Sequence, residues 1–483
     1  MKPHRTRLTR PYRSAAAVLC GLAIAAAAGR ADPLPRAVPQ TPEGPMSAAT
    51  LADLADPWAY RTLGELCDTI GPRLAGSPAM ARAVAWAEQT MKAAGCDSVW
   101  TEPVTIPHWT RGREWARCTA PVEFDLVMTG LGLSDGTGPD GIEAEVLAVR
   151  DFDELDARAA EAAGRIVLFN MAWEGYGPTV QYRSQGASRA ARHGAVAVLI
   201  RSVTGNSLAT PHTGMMRYEE GVPRIPAAAV TVEDAGRLQR LADAGLAPRV
   251  RLMMEARNRG ETVCHNVIGE IRGAAKPQEI VLVAGHLDSW DVGTGAHDDG
   301  AGCVIALAAA RRLLAGGARP ERTVRVVFYT AEEIGGLGGT AYRDAHRDEL
   351  PRHVAALESD SGAFAPAGFT VQGDSLIVAA VADHALAVAA LGAGKVSPGW
   401  SGVDIGPICR EGVPGIGHRV DGARYFDYHH SPADTFDKID PQDLARNVAA
   451  VAGLVRAICS DPVSLRDRGA AAAADGGTQP VSR

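Results

Sequence analysis

From residue 263 onward, short apolar runs alternate with stretches of helical spacing. "HNVIGEIRG", "EIVLVAGHLD", "RTVRVVFYTAEE" and "HVAALESDSG" read as strands, while "GAGCVIALAAARRLLAGG" and the region of "GGTAYRDAHRDEL" read as helices. Strands alternating with helices predict an α/β domain with a largely parallel central sheet. Nearer the start, "SAATLADLADPWAYRTLGELCDTI" and "MARAVAWAEQTMKAAG" carry apolar residues at helical spacing on either side of the turn-rich "GPRLAGSP", which predicts a helical N-terminal layer. Between about 119 and 262 the texture changes to "AEVLAVR", "GRIVLFN", "AVAVLI" and "AAAVTV", with one helical stretch near "QGASRAARHG". That texture predicts an inserted, mostly β domain.

The ends carry different signals. The basic "MKPHRTRLTRPYR" leads into "SAAAVLCGLAIAAAA" and a small-residue site, which predicts a signal peptide over 1–31. The low-complexity end predicts a disordered tail over 461–483. The remaining chain divides into 32–118, the first part of the main domain; 119–262, the insert; and 263–460, the part that carries the chemistry.

At 483 residues, 46% apolar and 22% charged, the chain is globular and long enough for more than one domain. Losing the six Lys and Arg of the leader takes the formal charge from −7 to −13, so the mature chain is acidic. No basic run suggests nucleic acid, and after leader cleavage no membrane partner is expected. Seven cysteines remain, without CxxC spacing, which excludes a zinc ribbon and leaves any disulfide unassigned.

Acids gather where three predicted strands end: His286 and Asp288, Glu332 and Glu333, Glu358 and Asp360. In open α/β sheets that edge is where ligands bind. Zinc takes imidazole nitrogen and carboxylate oxygen, and two zinc ions about 3.5–4 Å apart need a bridging carboxylate. The glycine-rich "GAHDDGAG" offers one, and its spacing does not fit an EF-hand loop. "YFDYHHSPADTFDKID" supplies His429 and His430.

Six separated segments then agree in order: "DTIGPRLAGSP", "HTGMMRYEEGVPRIPAAAVTVEDA", "VLVAGHLDSWDVGTGAHDDGAG", "YTAEEIGGLGG", "ESDSG" and "HHSPADT". Together they resemble the co-catalytic zinc aminopeptidase and carboxypeptidase family over about residues 50–455. The resemblance implies a zinc exopeptidase fold, with a mixed, largely parallel central sheet between helices and an inserted protease-associated domain. It implies two zinc ions per chain and hydrolysis of small peptides with free termini. Matched position by position, it implies that His286, Asp298 and Asp360 hold one zinc and that Asp298, Glu333 and His430 hold the other. Asp298 bridges, Glu332 acts as general base, and Asp288 orients His286.

Asp291, Asp299, His297 and His429 receive no role, and Arg419, Arg424 and Tyr425 are candidates for the substrate carboxylate. A carboxypeptidase or dipeptidase is the favoured reading, with an aminopeptidase as the alternative. A noncatalytic binding protein of the same fold and a two-metal phosphoesterase are weaker. The expected partners are small peptides; assembly as a homodimer stays open.

Overall fold

The computed structural model describes residues 56–468; the leader and the end of the tail lie outside the described residues. Helices α1 (Trp58–Glu65) and α2 (Pro78–Ala93) come first. The hydroxyl of Ser77 accepts from the Met80 amide at 3.1 Å, and Pro78 occupies the first turn, so "GSP" supplies both an oxygen cap and a preset φ for α2. Strand β1 (Ser98–Thr110) then opens one sheet.

The chain next builds a second sheet from β2 (Glu114–Ala120), β3 (Phe124–Leu126), β4 (Met128–Gly130), β5 (Ile142–Val149), β6 (Ile166–Phe169), β7 (Ala197–Arg201), β8 (Ala227–Val230) and β9 (Arg249–Met254). Helices α3 (Tyr176–Arg192) and α4 (Val232–Asp243) belong to it. The strand order is β3-β2-β9-β5-β6-β7-β8-β4. From β5 to β8 neighbouring strands run parallel. Tyr182 and Ala187 of α3 pack with Phe169 and Ile200 on one face, while Ala235 and Leu238 of α4 pack with Leu168 and Leu199 on the other. The segment expected to be mostly β is therefore an α/β layer, because parallel strands need crossovers and these crossovers are helical. Its strands span 114–254, starting earlier and ending earlier than the 119–262 read from texture.

The chain returns as β10 (Arg257–Ile271), antiparallel to β1. It continues through β11 (Lys276–His286), α5 (Ala301–Arg312), β12 (Arg322–Tyr329), α6 (Leu337–Ala345) and β13 (His353–Glu358). It closes with β14 (Pro366–Gln372), α7 (Ser375–Ala385), β15 (Val396–Pro398), β16 (Gly415–Val420) and α8 (Pro441–Ser460). The first sheet is mixed, in the order β1-β10-β12-β11-β13-β16-β14-β15. Its neighbours β12, β11, β13 and β16 are parallel. Every residue of β12 and β13 is buried, as strands covered on both faces require. Helices α1, α2, α5 and α8 contribute to the core on one face, and Tyr342 of α6 to that on the other. Residues 301–310 of α5 are all buried, and their alanines let neighbouring elements approach closely.

The stretch 461–468 packs on the body: Leu465 is buried, Arg468 pairs with Asp461 at 2.8 Å, and Arg466 donates to the Leu350 carbonyl at 2.8 Å. The low-complexity part of the expected tail begins beyond it. Among the described residues, no helix is long and apolar enough to cross a membrane. The seven cysteines of this region are all free thiols, six of them buried. Reductant is therefore expected to leave Tm unchanged, and all seven thiols should react with a thiol reagent once the protein is unfolded without reductant; a missing pair would reveal a disulfide.

Candidate metal centre

Because β12, β11, β13 and β16 lie side by side and parallel, their carboxyl ends open on one edge. His286 ends β11, Glu332 and Glu333 follow β12, and Asp360 follows β13. Asp298 comes from the glycine-rich segment before α5, and His430 from the segment after β16. The elements flanking the Asp298 segment need glycine: a Cβ on Gly302, in the first turn of α5, would lie 1.8 Å from the Ser359 carbonyl oxygen, and one on Gly285, near the end of β11, would lie 2.6 Å from an Asp299 oxygen. Ala331 and His430 both hold φ of 59°, left-handed backbone that costs a non-glycine residue about 1–2 kcal/mol. Strain of this kind gathers at functional sites.

The two oxygens of Asp298 face different histidines. Oδ1 lies 3.2 Å from His286 Nε2, and Oδ2 lies 3.3 Å from His430 Nε2. Asp360 Oδ1 is 3.7 Å from His286 Nε2, and Glu333 Oε2 is 2.9 Å from His430 Nε2. Ligand atoms about 2.0–2.1 Å from a tetrahedral zinc stand roughly 3.3 Å apart; ligand atoms of His286, Asp298 and Asp360 all lie within 4.8 Å of one another, as do those of Asp298, His429 and His430, while Glu333 meets this second group through His430. His286 Nε2, Asp298 Oδ2 and Glu333 Oε1 are also buried without a hydrogen-bond partner, a state that a cation relieves. Glu332 Oε2 is 4.0 Å from His286 Nε2.

The electrostatics agree. Burial, reinforced by Asp360, Asp298 and Asp288, pushes Glu332 up to about 8. Burial and like charge also raise Asp298 and Glu333. Burial pulls His286 down, but the Asp298 and Asp360 carboxylates beside its Nε2 more than offset it and raise it well above the usual imidazole range. Burial lowers His429 and His430 and keeps their rings neutral, the form that binds metal.

Other acids hold the framework. Asp288 accepts from the Glu332 and Glu333 amides at 3.2 and 3.4 Å. Its main-chain carbonyl, 3.0 Å from His286 Nδ1, orients that ring, whereas its carboxylate stands off at 3.8 Å. Asp299 accepts from the His286 and Gly302 amides at 3.0 Å each. Asp434 accepts from the His297 amide at 2.8 Å and the Asp298 amide at 3.1 Å. Fully buried Arg73 donates to the Leu287, Thr294 and Gly295 carbonyls, tying down the segment between His286 and Asp298. Neither Asp434 nor Arg73 was assigned a role from sequence, although both stand in the matched segments "HHSPADT" and "DTIGPRLAGSP".

The remaining candidates separate. Asp291 pairs with Arg111 at 2.6 Å. His297 stacks on Phe364, with ring centroids 4.2 Å apart, and its Nδ1 accepts from the Ala363 amide, so its ring is engaged in packing. His429 stacks on His430 at 3.6 Å, yet its Nε2 is also 3.7 Å from Asp298 Oδ2, nearer the centre than packing alone implies. Arg424 turns to Asp427 and Tyr428, whereas Arg419 and Tyr425 line a cavity of about 850 Å³ over the centre. The second-sheet layer forms one wall of that cavity and grips the histidine segment: the Thr213 amide donates to the His430 carbonyl at 2.9 Å, and His212 Nδ1 lies 2.7 Å from the His429 carbonyl.

Residues 266–455 match the model of peptidase family M28, and all seven site candidates fall within that span. Carboxypeptidase Q of Mus musculus is 44% identical over 392 residues, covering 81% of this chain and 83% of its own; the Homo sapiens protein is 43% identical over the same length. The chain belongs to peptidase family M28. A crystal structure of a peptidase M28 precursor from Shewanella amazonensis superposes with TM-score 0.83 at 39% identity, covering 86% of this chain and 96% of that one. A zinc aminopeptidase from Bacillus subtilis shares the fold, with TM-score 0.63 at 23% identity over 82% of this chain and 93% of its own. As an M28 member the chain is a zinc metallo-exopeptidase, and the noncatalytic and phosphoesterase readings fall away.

Without metal, Glu332 and Glu358 stand at about 8 and Asp434 at about 7, well above the ~4 of an unfolded carboxylate. The folded chain then keeps protons that the unfolded chain has released, so stability falls as pH rises toward 8. Buried His212, His297 and His418, at about 4, act the other way only below the ~6.5 of an unfolded imidazole. Tm of the metal-free M28 protein should therefore drop between about pH 6.5 and 8, and zinc should remove most of the drop. Calorimetry with and without chelator checks this; a Tm that rises over that range would contradict it.

Proposed function

We propose that this chain is an exported di-zinc carboxypeptidase or dipeptidase acting on dipeptides and short peptides with free termini. The observation that carries the two-metal reading is Asp298, whose oxygens serve two separate histidine groups. In this reading His286, Asp298 and Asp360 surround one ion, and Asp298, Glu333 and His430 the other. Two zinc ions would supply a Lewis acid for the scissile carbonyl and acidify water toward a pKa of ~7.

Glu332 moves the proton: it takes one from the attacking water and returns it to the leaving amine. Asp288 holds the amides of both glutamates, while its carbonyl takes the Nδ1–H of His286 and fixes the tautomer that offers Nε2. Glu333, turned toward His430, is spent on metal and leaves Glu332 free.

The carboxypeptidase direction is supported by the similarity to carboxypeptidase Q. An aminopeptidase differs in which terminus must be free. The second-sheet layer is read as a protease-associated domain that walls the cavity. Export is supported by the basic start, apolar run and small-residue site of 1–31.

Chelation should abolish hydrolysis and zinc restore it. Glu332→Gln should keep two zinc ions per chain while kcat falls by roughly 10²–10⁴-fold; Glu333→Gln should lose one. Metal content after dialysis and kcat on one dipeptide decide. A Glu332→Gln protein that loses zinc beside a Glu333→Gln protein that keeps two would reverse the roles.

A further inference from the structure

The cavity over the centre is chemically lopsided once its charges are traced to their partners. Five acids line it: Asp298, Glu332, Glu333, Asp360 and Glu219. The first four stand at the metal centre, and Glu219 is paired with Arg192. None of them is left for a substrate ammonium group.

Four arginines line the same space. Arg183 donates to the Thr213 carbonyl at 3.1 Å and the Tyr176 hydroxyl at 2.8 Å, and Arg189 lies over the Phe152 ring at 4.9 Å. The guanidinium groups of Arg217 and Arg419 have no hydrogen bond, ion pair or ring contact among the described residues. Both are placed close to the chemistry by the backbone. Thr213, four residues before Arg217, meets His430, and the Arg217 amide is held by the Ser184 carbonyl at 3.0 Å. Arg419 adjoins His418, whose Nδ1 is 3.0 Å from the hydroxyl of Ser359, the residue before Asp360.

An unpaired guanidinium facing a reaction cavity suits a planar anion, and a peptide's free C-terminus is one. We propose that Arg217, from the second-sheet layer, and Arg419, from β16, form a two-part clamp for the terminal carboxylate of the substrate. Selection for the C-terminus is then shared between the layer that carries the metal candidates and the layer that walls the cavity. The clamp deepens the carboxypeptidase reading above and rests on it.

The test compares kcat/KM for a dipeptide and its C-terminally amidated form, using the zinc-loaded full chain, Arg217→Gln, Arg419→Gln and the double variant. Zinc content and circular dichroism serve as folding controls, and Arg→Lys replacements stand in should a Gln variant fail to fold. The unsubstituted protein should prefer the acid. Each Gln variant should lose about 10- to 100-fold on the acid, chiefly through KM, the size expected for a charged hydrogen bond. The acid-to-amide ratio of the double variant should approach one. Variants that keep the original ratio overturn the clamp. A parent enzyme that cleaves acid and amide alike also overturns it, yet leaves metal-dependent hydrolysis intact. A parent enzyme that binds no zinc and ignores chelator defeats the reading beneath it.

Discussion

Asp288, Asp298, Asp299, Glu333 and Asp434 are all buried at one end of one sheet, where an ionised carboxylate cannot be left without a partner. The fold answers that constraint by sorting them. Asp288, Asp299 and Asp434 each accept two backbone amides and so hold loops in place. Asp298 and Glu333 keep buried oxygens with no donor at all. Of these five, the two that keep an unsatisfied oxygen are those that face the histidines, and the three satisfied by amides fix where that pair points. Stability and chemistry are thus coupled through the same few atoms.

That sorting extends across the molecule. The chain leaves the first sheet after β1, completes the second and returns along β10, so the second layer is anchored at both ends of an antiparallel pair. It then reaches back to the histidine segment through Thr213 and His212, and through Thr204, whose hydroxyl donates to the Phe426 carbonyl at 2.7 Å. His430 sits in a strained backbone conformation between these contacts. A residue held in such a geometry needs support from more than one side, and here the second layer supplies one of them.

The α/β alternation after residue 263 was legible because buried parallel strands and Ala-rich helices have different periods. The collection of His286, Glu332, Glu333 and Asp360 at one edge was legible because each stands just past a strand. What sequence hid was mostly main-chain chemistry. Asp288 was expected to orient His286, and the atom nearest that ring is its main-chain carbonyl, which no side-chain pattern announces. Arg73 and Asp434 lay in segments of strong resemblance but looked like turn residues, since their partners are amides and carbonyls far away in sequence. The second layer looked mostly β because its helix α3 is polar and weakly patterned in "YGPTVQYRSQGASRAAR", although half of it is buried.

Parallel strands stand about 4.8 Å apart, and that spacing is set by backbone hydrogen bonds which no side chain can alter. The side chains that face one another above β12, β11 and β13 start from Cα positions laid out on this fixed grid. The ladder therefore acts as a ruler for the centre. Substituting Glu333 or Asp360 can empty a position or change its affinity, but it cannot respace the positions that remain. To make a roomier centre, an engineer would have to change the strand register or insert a strand, and the gap between the two would then jump by a whole rung rather than drift.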